Sequence, residues 1–223
     1  MFDGFDWPNF AVVGCGQGLW RPPGHTVNTD VFATVQLAVN ACIEAGHQRI
    51  GAALFTHPGC ADDDHRRRGA ALVEIFRATS PGIEIIPLTS PPEDQAAFLS
   101  WFEHVHPDVV IALHRGVARW LSESGIRIPQ DVGVVCLGAN AHPNLARVDP
   151  QLAVVAQAAV DVLDLALREN ELGPPAFPRV MLVSPTWHPG PSLVPPGARQ
   201  REMDQSADQN EYVAVKKISR GFL

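Results

Sequence analysis

Three short clusters in the sequence hold residue types that could do chemistry. They are the glycine-rich stretch GCGQG at 14–18, the acidic stretch DDDH at 62–65, and the histidine pair in HVH at 104–106. The glycine-rich stretch could cradle a dinucleotide phosphate, but the following LWRPPG at 19–24 cannot open the helix that such a fingerprint requires. Three consecutive acidic residues at a helix start cannot all point at one ion, so capping and solvation are favoured over metal binding. Because GxSxG, HExxH and P-loop sequences are also absent, we expect no catalytic residues, no metal and no cofactor.

Composition and charge exclude several classes of protein. Apolar residues make up 46% of the 223 residues and charged residues 18%, as in a globular chain. The net charge of −7 argues against binding of DNA or an anionic membrane by this chain alone. No apolar run approaches the length of a membrane span, and residues 1–6 lack the basic start of a signal peptide. The four cysteines form no CxxC pair, so we expect reduced, mostly buried thiols in a cytoplasmic protein.

Strand-like and helix-like segments alternate along most of the chain. Apolar runs predict strands at 10–14, 50–55, 83–87, 109–113, 132–137, 145–148 and 180–183. Amphipathic stretches predict helices at 31–45, from an N-cap at 62–64 to a stop at 80–82, at 90–104 with its cap at Ser90, at 116–124 and at 153–167. This alternation indicates βαβ crossovers in a doubly wound parallel sheet. The polar stretch 197–209 has no periodicity, and residues 195–223 are expected to form a disordered tail.

Four motifs, in order and with the right spacing, resemble the effector-binding core of LacI/GalR-type transcriptional regulators. They are VNTD at 27–30 with EAGHQRIG at 44–51, RRRGA at 66–70, GIRIPQDVGVV at 125–135, and ARVDPQL at 146–152 with AAVD at 158–161. The stretch PTWHPG at 185–190 is similar to a subgroup of these regulators that ends in a W-x-x-G strand. The resemblance covers about residues 9–194.

The resemblance implies an α/β fold of the type I periplasmic-binding-protein kind, with two Rossmann-like subdomains built on parallel sheets. The match begins near the later strands of the N-terminal subdomain, so we expect that subdomain to be incomplete. The implied division is residues 1–30 for the partial N-terminal subdomain and 31–140 for the C-terminal subdomain. Residues 141–194 would then supply a crossover, a helix and strands that return to the N-terminal subdomain.

Two candidate effector contacts lie at positions that the resemblance identifies with ligand binding. Asp30 takes the place of the family's crossover aspartate, where a carboxylate accepts hydroxyl protons of a sugar. It could equally be a plain helix N-cap, and one residue can satisfy both roles. Arg66 takes the place of the effector-binding arginine, whose forked donors suit a polyol; the alternative is a solvated basic cluster at 66–68.

Four further candidates follow strands of the predicted sheets. His114 and Arg115 stand where the family has Asn-Asp, beyond the carboxyl end of a parallel strand, although a loop histidine is often only solvated. The family's later acidic contact is lost at Gly138 or Ala139, and Asp149 could replace that carboxylate. Trp187 could stack on a sugar face, but packing between subdomains is the favoured alternative.

We therefore expect the sensing core of a LacI/GalR-like regulator, in which a small-molecule effector, a sugar or related metabolite, closes the cleft between two subdomains. The resemblance implies a homodimer for the full-length parent and DNA binding only through a helix-turn-helix headpiece that is not found here. The alternatives are a sugar-binding receptor of a transport system and a small-molecule α/β enzyme. The first is disfavoured because no export signal is seen, and the second because no nucleophile and base occur together.

Overall fold

Two sheets, a large one of six strands and a small one of three, organise the part of the chain that the computed structural model describes. The structure describes residues 6–15, 24–53, 81–88, 94–113, 116–138 and 144–196. The predicted helix that opens at 62–64 and the tail from residue 197 onward lie outside these ranges. The candidate residues Arg66, His114 and Arg115 lie outside them as well.

The large sheet has the strand order β4-β3-β5-β6-β7-β9. Its first five strands are parallel, whereas the edge strand β9 runs antiparallel to β7. Its central strands are continuous apolar runs buried on both faces, as expected of a parallel sheet covered by helices. The strands are β3 Arg49–Ala53, β4 Glu84–Pro87, β5 Val109–Ala112, β6 Gly133–Leu137, β7 Ala146–Asp149 and β9 Thr186–His188.

Helices cover both faces of the large sheet. The helix α1, Val31–Glu44, packs on one face against alternate strand residues such as Val109 and Ile111. The helices α2, Gln95–Val105, and α3, Gly116–Glu123, pack on the other face. This two-sided arrangement confirms the predicted α/β fold with parallel sheets.

Capping residues decide where two of these helices begin. Asp30 precedes α1 in an extended conformation, and its side chain accepts a hydrogen bond from the Ala33 amide, as an N-cap does. Gly46 follows α1 with φ +89°, a conformation that suits glycine just after a helix end. The start predicted for α2 at Ser90 is wrong. Asp94 caps the Ala97 amide, and the helix begins at Gln95.

The small sheet contains three parallel strands in the order β1-β2-β8. They are β1 Val13–Cys15, β2 His25–Thr29 and β8 Val180–Val183. The long helix α4, Leu152–Arg168, packs on one face of this sheet, with Val27 and Val155 buried at the contact. The buried His25 links β2 to the residue before β8, because the His25 Nδ1 accepts a hydrogen bond from the Arg179 amide.

The strands of segment 141–194 are shared between the two sheets. We expected this segment to return to the N-terminal subdomain. β8 lies in the small sheet with α4 packed on it, whereas β7 and β9 pair within the large sheet. The boundaries at 30, 140 and 194 stay predictions.

Apolar side chains are exposed mainly around the small sheet. On α4, Val160 is 58% exposed and Leu167 is also 58% exposed, and on β8 Val180 is 64% exposed. None of the helices in the described ranges combines the length and hydropathy that a bilayer crossing needs.

Candidate functional site

The chain crosses between the two sheets three times, and hydrogen bonds connect these three crossovers. The first runs from β2 into α1 through Asp30, the second from β7 into α4 through Pro150, and the third from β8 into β9. The Thr29 hydroxyl donates a 2.7 Å hydrogen bond to the Pro150 carbonyl, and the Asp30 amide donates a 2.9 Å bond to the Val183 carbonyl. These two bonds join the first crossover to both of the others.

The carboxylate of Asp30 lies at the first crossover and is oriented by α1. Its Oδ1 accepts a 3.0 Å hydrogen bond from the Ala33 amide, and its carbonyl accepts bonds from the Thr34 amide and hydroxyl. A carboxylate has about four acceptor positions, so one capping bond leaves capacity for ligand hydroxyls. The capping role of Asp30 is therefore seen, and a ligand role at the same residue is compatible with it.

Asp149 lies at the end of β7 and directly precedes Pro150, the acceptor of the Thr29 hydroxyl. Its Oδ1 accepts a 2.8 Å hydrogen bond from the Gln151 amide, two residues further on. Aspartate side chains commonly make this local turn. Gln151 itself has φ +57°, in the left-handed region, directly before α4 begins. Backbone hydrogen bonds thus orient both candidate carboxylates.

His188 was not singled out by the sequence and stands next to Asp149 in the structure. Its Nε2 lies 4.0 Å from Asp149 Oδ2, and the histidine side chain is 38% exposed. The residue lies on β9, where it is in register with Arg147 of β7. Only its position after Trp187 in the W-x-x-G motif could have indicated it, because the pairing of β9 with β7 is not visible from local sequence.

Trp187 lies on β9, the edge strand of the large sheet, on the face that α1 covers. It is in register with the buried Val148 and packs, partly buried, against the hydrophobic cluster that α1 forms with the sheet. This contact lies within the large-sheet unit, so packing between subdomains and a stacking contact with a sugar both stay predictions.

The cysteines of the described ranges, and two further histidines, lie in surroundings that do not suit catalysis or metal binding. Burial raises the pKa of the Cys42 thiol, with a smaller contribution from Asp108, and burial also raises the pKa of Cys136. Such thiols stay protonated and are poor nucleophiles or metal ligands. Cys15 is exposed. His104 and His106 are exposed at the end of α2, and the described ranges hold no cluster of histidine, cysteine and acidic residues suited to a metal ion.

Of the six candidate residues, Asp30 and Asp149 are the chain neighbours of the hydrogen-bonded pair Thr29 and Pro150, and Trp187 packs against the core. Arg66, His114 and Arg115 lie outside the described ranges. The ligand roles of all six stay predictions.

Solved structures with a similar fold include several transcriptional regulators. The chain is similar to a LacI family transcriptional regulator from Enterococcus faecium with bound ribose, at 18% identity, with a TM-score of 0.63 over 84% of this chain and 71% of that one. It is also similar to a LacI transcriptional regulator from a Rhodococcus species, at 21% identity, with a TM-score of 0.63 over 84% of this chain and 70% of that one. A third is the transcriptional regulator CelR in complex with cellobiose, at 19% identity, with a TM-score of 0.60 over 81% of this chain and 57% of that one.

Comparison with curated proteins by sequence finds no match. The family model described as a periplasmic binding protein-like domain matches residues 39–193, well over half of the chain. This match, together with the shared fold of the LacI regulators, confirms the predicted resemblance to an effector-binding core. The chain belongs to the periplasmic binding protein-like domain family.

Proposed function

We propose that this chain is the small-molecule sensing core of a LacI/GalR-like transcriptional regulator and that its effector is a sugar or a related polyol. The observation that carries the proposal is the meeting of the three crossovers with the carboxylates of Asp30 and Asp149 beside it. Carboxylates accept hydrogen bonds from sugar hydroxyls, and a site between two sheets is sensitive to their relative arrangement. The ribose and cellobiose bound to regulators of the same fold support this ligand class.

Ligand binding at the crossovers would act by selecting one arrangement of the two sheets. A ligand shifts such an equilibrium only by its difference in affinity for the two arrangements. A sugar that contacts Asp30 from one crossover and Asp149 from another favours the arrangement in which both carboxylates reach it. We propose that Arg66, His114 and Arg115 add donors to the same ligand and that Trp187 supplies an apolar wall.

The proposed sensing role includes no catalysis. The regulator would act in the cytoplasm as a homodimer, and DNA would be contacted by a headpiece rather than by residues 1–223. The net charge of −7 supports the proposal that residues 1–223 do not contact DNA, because specific DNA binding needs a basic face. An operator fragment shifted by residues 1–223 with nanomolar affinity, in a salt-dependent manner, would contradict it.

The direct test is a thermal-shift screen of pentoses, hexoses, disaccharides and nucleosides against the 223-residue chain. A ligand that binds only the folded state raises the melting temperature by mass action. We expect at least one sugar to raise it in a concentration-dependent way and the substitutions Asp30→Asn and Asp149→Asn to reduce that shift. A chain that responds to none of these compounds would contradict the proposal.

A further inference from the structure

We propose that Thr29 is a positioning residue for the effector site, because its hydroxyl holds the two candidate carboxylates, Asp30 and Asp149, in one arrangement. This inference rests on the proposed function for its ligand, and on the hydrogen bond between Thr29 and Pro150 for its geometry. The two bonded residues are the immediate chain neighbours of the two carboxylates: Thr29 precedes Asp30, and Pro150 follows Asp149.

Each carboxylate is oriented locally, by its own stretch of backbone. Asp30 is fixed to α1 through the Ala33 amide, and Asp149 is fixed to its own turn through the Gln151 amide. Neither of these bonds relates one crossover to the other. The Thr29 hydroxyl does so, with a 2.7 Å bond that spans 121 positions of the sequence and is partly shielded from water.

The residue types on both sides of this bond suit a rigid connection. Threonine is branched at Cβ, so its χ1 angle is restricted in a strand and its hydroxyl has a defined direction. Proline fixes its own φ angle and restricts the residue before it, which here is Asp149. The next residue along the chain, Gln151, has the left-handed conformation described above. A donor from β2 thus meets a carbonyl whose position is fixed by a stiff turn.

The third crossover is joined to the same point through the backbone. The Asp30 amide donates to the Val183 carbonyl at the end of β8, so Asp30 is held by β8 on one side and lies next to the Thr29 bond on the other. Loss of the Thr29 hydroxyl would leave this backbone bond in place. The register of Asp149 with Thr186 of β9 would also remain, so what is lost is the direct bond between the first and second crossovers.

The experiment compares Thr29→Val, Thr29→Ser and Thr26→Val in the 223-residue chain. Valine keeps the shape of threonine and removes the hydroxyl, whereas serine keeps the hydroxyl. Thr26 lies on the same strand, and its hydroxyl makes no hydrogen bond to the described ranges of the chain, so Thr26→Val is a matched control. Should Thr29→Val fail to fold, Thr29→Cys, which replaces the hydroxyl by a weak donor, takes its place.

Two readouts are measured for each variant. The first is amide hydrogen exchange at Gln151 and Asp30 without ligand, and the second is the dissociation constant for the sugar that gives the largest thermal shift. For Thr29→Val we expect exchange at Gln151 to rise and the dissociation constant to rise, each about tenfold, the order expected for one lost hydrogen bond. Exchange at Asp30 should change less, and Thr29→Ser and Thr26→Val should resemble the unsubstituted chain.

The two readouts separate this inference from the proposed function. Unchanged exchange at Gln151 in Thr29→Val would overturn the positioning role whether or not a sugar binds. A lower melting temperature with an unchanged dissociation constant would also overturn it, because the hydroxyl would then serve stability alone. If the unsubstituted chain binds no sugar, the proposed function fails, and the connection between the crossovers is judged by the exchange result.

Discussion

At the scale of single residues, Asp30 combines a structural role with a proposed binding role. Its carboxylate caps α1 at the Ala33 amide and lies at the meeting point of the crossovers. Asparagine is an equally good N-cap but carries no charge, and alanine can neither cap nor bind. The two roles can therefore be separated by two substitutions at one position.

Asp30→Asn should leave the free energy of unfolding nearly unchanged and weaken sugar binding. Asp30→Ala should weaken sugar binding and also lower the free energy of unfolding by about 1 kcal/mol, the usual cost of a lost N-cap. Urea unfolding and sugar titration of both variants provide the measurement. Equal sugar affinity in Asp30→Asn and the unsubstituted chain would mean that Asp30 is only a cap.

Asp108 gives the fold a predictable response to acid. Burial raises the pKa of this carboxyl, but the hydrogen bond from His47, the backbone amides of Gln48 and Arg49 and the nearby charge of His47 together outweigh it. The net effect is a pKa below its ordinary value of 3.8. His47 is fully buried, and its Nδ1 lies 3.5 Å from Asp108 Oδ1.

A lowered carboxyl pKa stabilises the fold above the pKa of the unfolded chain, and this stabilisation is lost as the pH falls through the folded value. Asp108→Asn should therefore lower the free energy of unfolding at neutral pH. The difference from the unsubstituted chain should shrink as the pH falls from about 5 to about 2. Urea unfolding at several pH values tests this, and a difference that stays constant with pH would contradict it.

At the scale of secondary-structure elements, the segment after β9 is hydrogen-bonded to the starts of β6 and β7. Ser192 is buried, donates a 2.6 Å hydrogen bond to the Val134 carbonyl and accepts a 2.8 Å bond from the Ala146 amide. Gly190 passes so close to Leu145 and Ala146 that a Cβ would lie about 2.5 Å from the Ala146 nitrogen. The glycine of the W-x-x-G motif thus has a physical reason, which is close backbone contact with the start of β7.

Ser192→Ala should remove both side-chain bonds and leave two buried backbone groups without this partner. We expect the free energy of unfolding to fall by roughly 3 kcal/mol, since each such group costs about 1–3 kcal/mol. Ser122→Ala is the matched control, because its hydroxyl bonds to Ala118 on an exposed helix surface. If both variants lose the same small amount of stability, Ser192 does not hold the strands together.

Elements with a strong local signal were predictable from the sequence, and those that depend on distant partners were not. The apolar run of β5 and the Asp30 cap of α1 were both recognised from local pattern. The strand β2 was missed, because four of its five residues are polar or hydroxyl-bearing and its stability comes from pairing with β1 and β8. The start of α2 was misplaced at Ser90, because a local cap signal does not fix the first turn; Asp94 caps the helix in the structure.

The candidate site was predictable only in part, for the same reason. The resemblance nominated Asp30 and Asp149 separately, but nothing local shows that Thr29 and Pro150 share a hydrogen bond. His188 was missed because its position near Asp149 results from the antiparallel pairing of β9 with β7.

At the scale of the whole molecule, the small sheet is less well covered than the large one. Its strand β8 and the flank of α4 expose large apolar side chains, whereas the central strands of the large sheet are buried. Exposed apolar patches and open strand edges promote association. We therefore expect the purified 223-residue chain to self-associate.

Light scattering should show that Val160→Lys reduces self-association and that Gln157→Lys, on the polar side of the same helix, does not. Hydrogen exchange should show stronger protection of residues 108–137 than of 151–183, since α4 and β8 have fewer buried side chains. A monodisperse monomer with equal protection of both regions would contradict this expectation.

The central claim, that the crossovers between the two sheets bind a polyol through Asp30 and Asp149, is tested most directly by calorimetric titration. The sugar that gives the largest thermal shift is titrated into the unsubstituted chain and into the double variant Asp30→Asn, Asp149→Asn. Both substitutions keep a side-chain oxygen that can serve the helix cap and the turn, so the fold should be retained. The account predicts saturable one-site binding by the unsubstituted chain and a loss of affinity of at least about a hundredfold in the double variant, from two charge-assisted hydrogen bonds. Equal affinity of the two proteins, or no binding of any sugar by the unsubstituted chain, would contradict it.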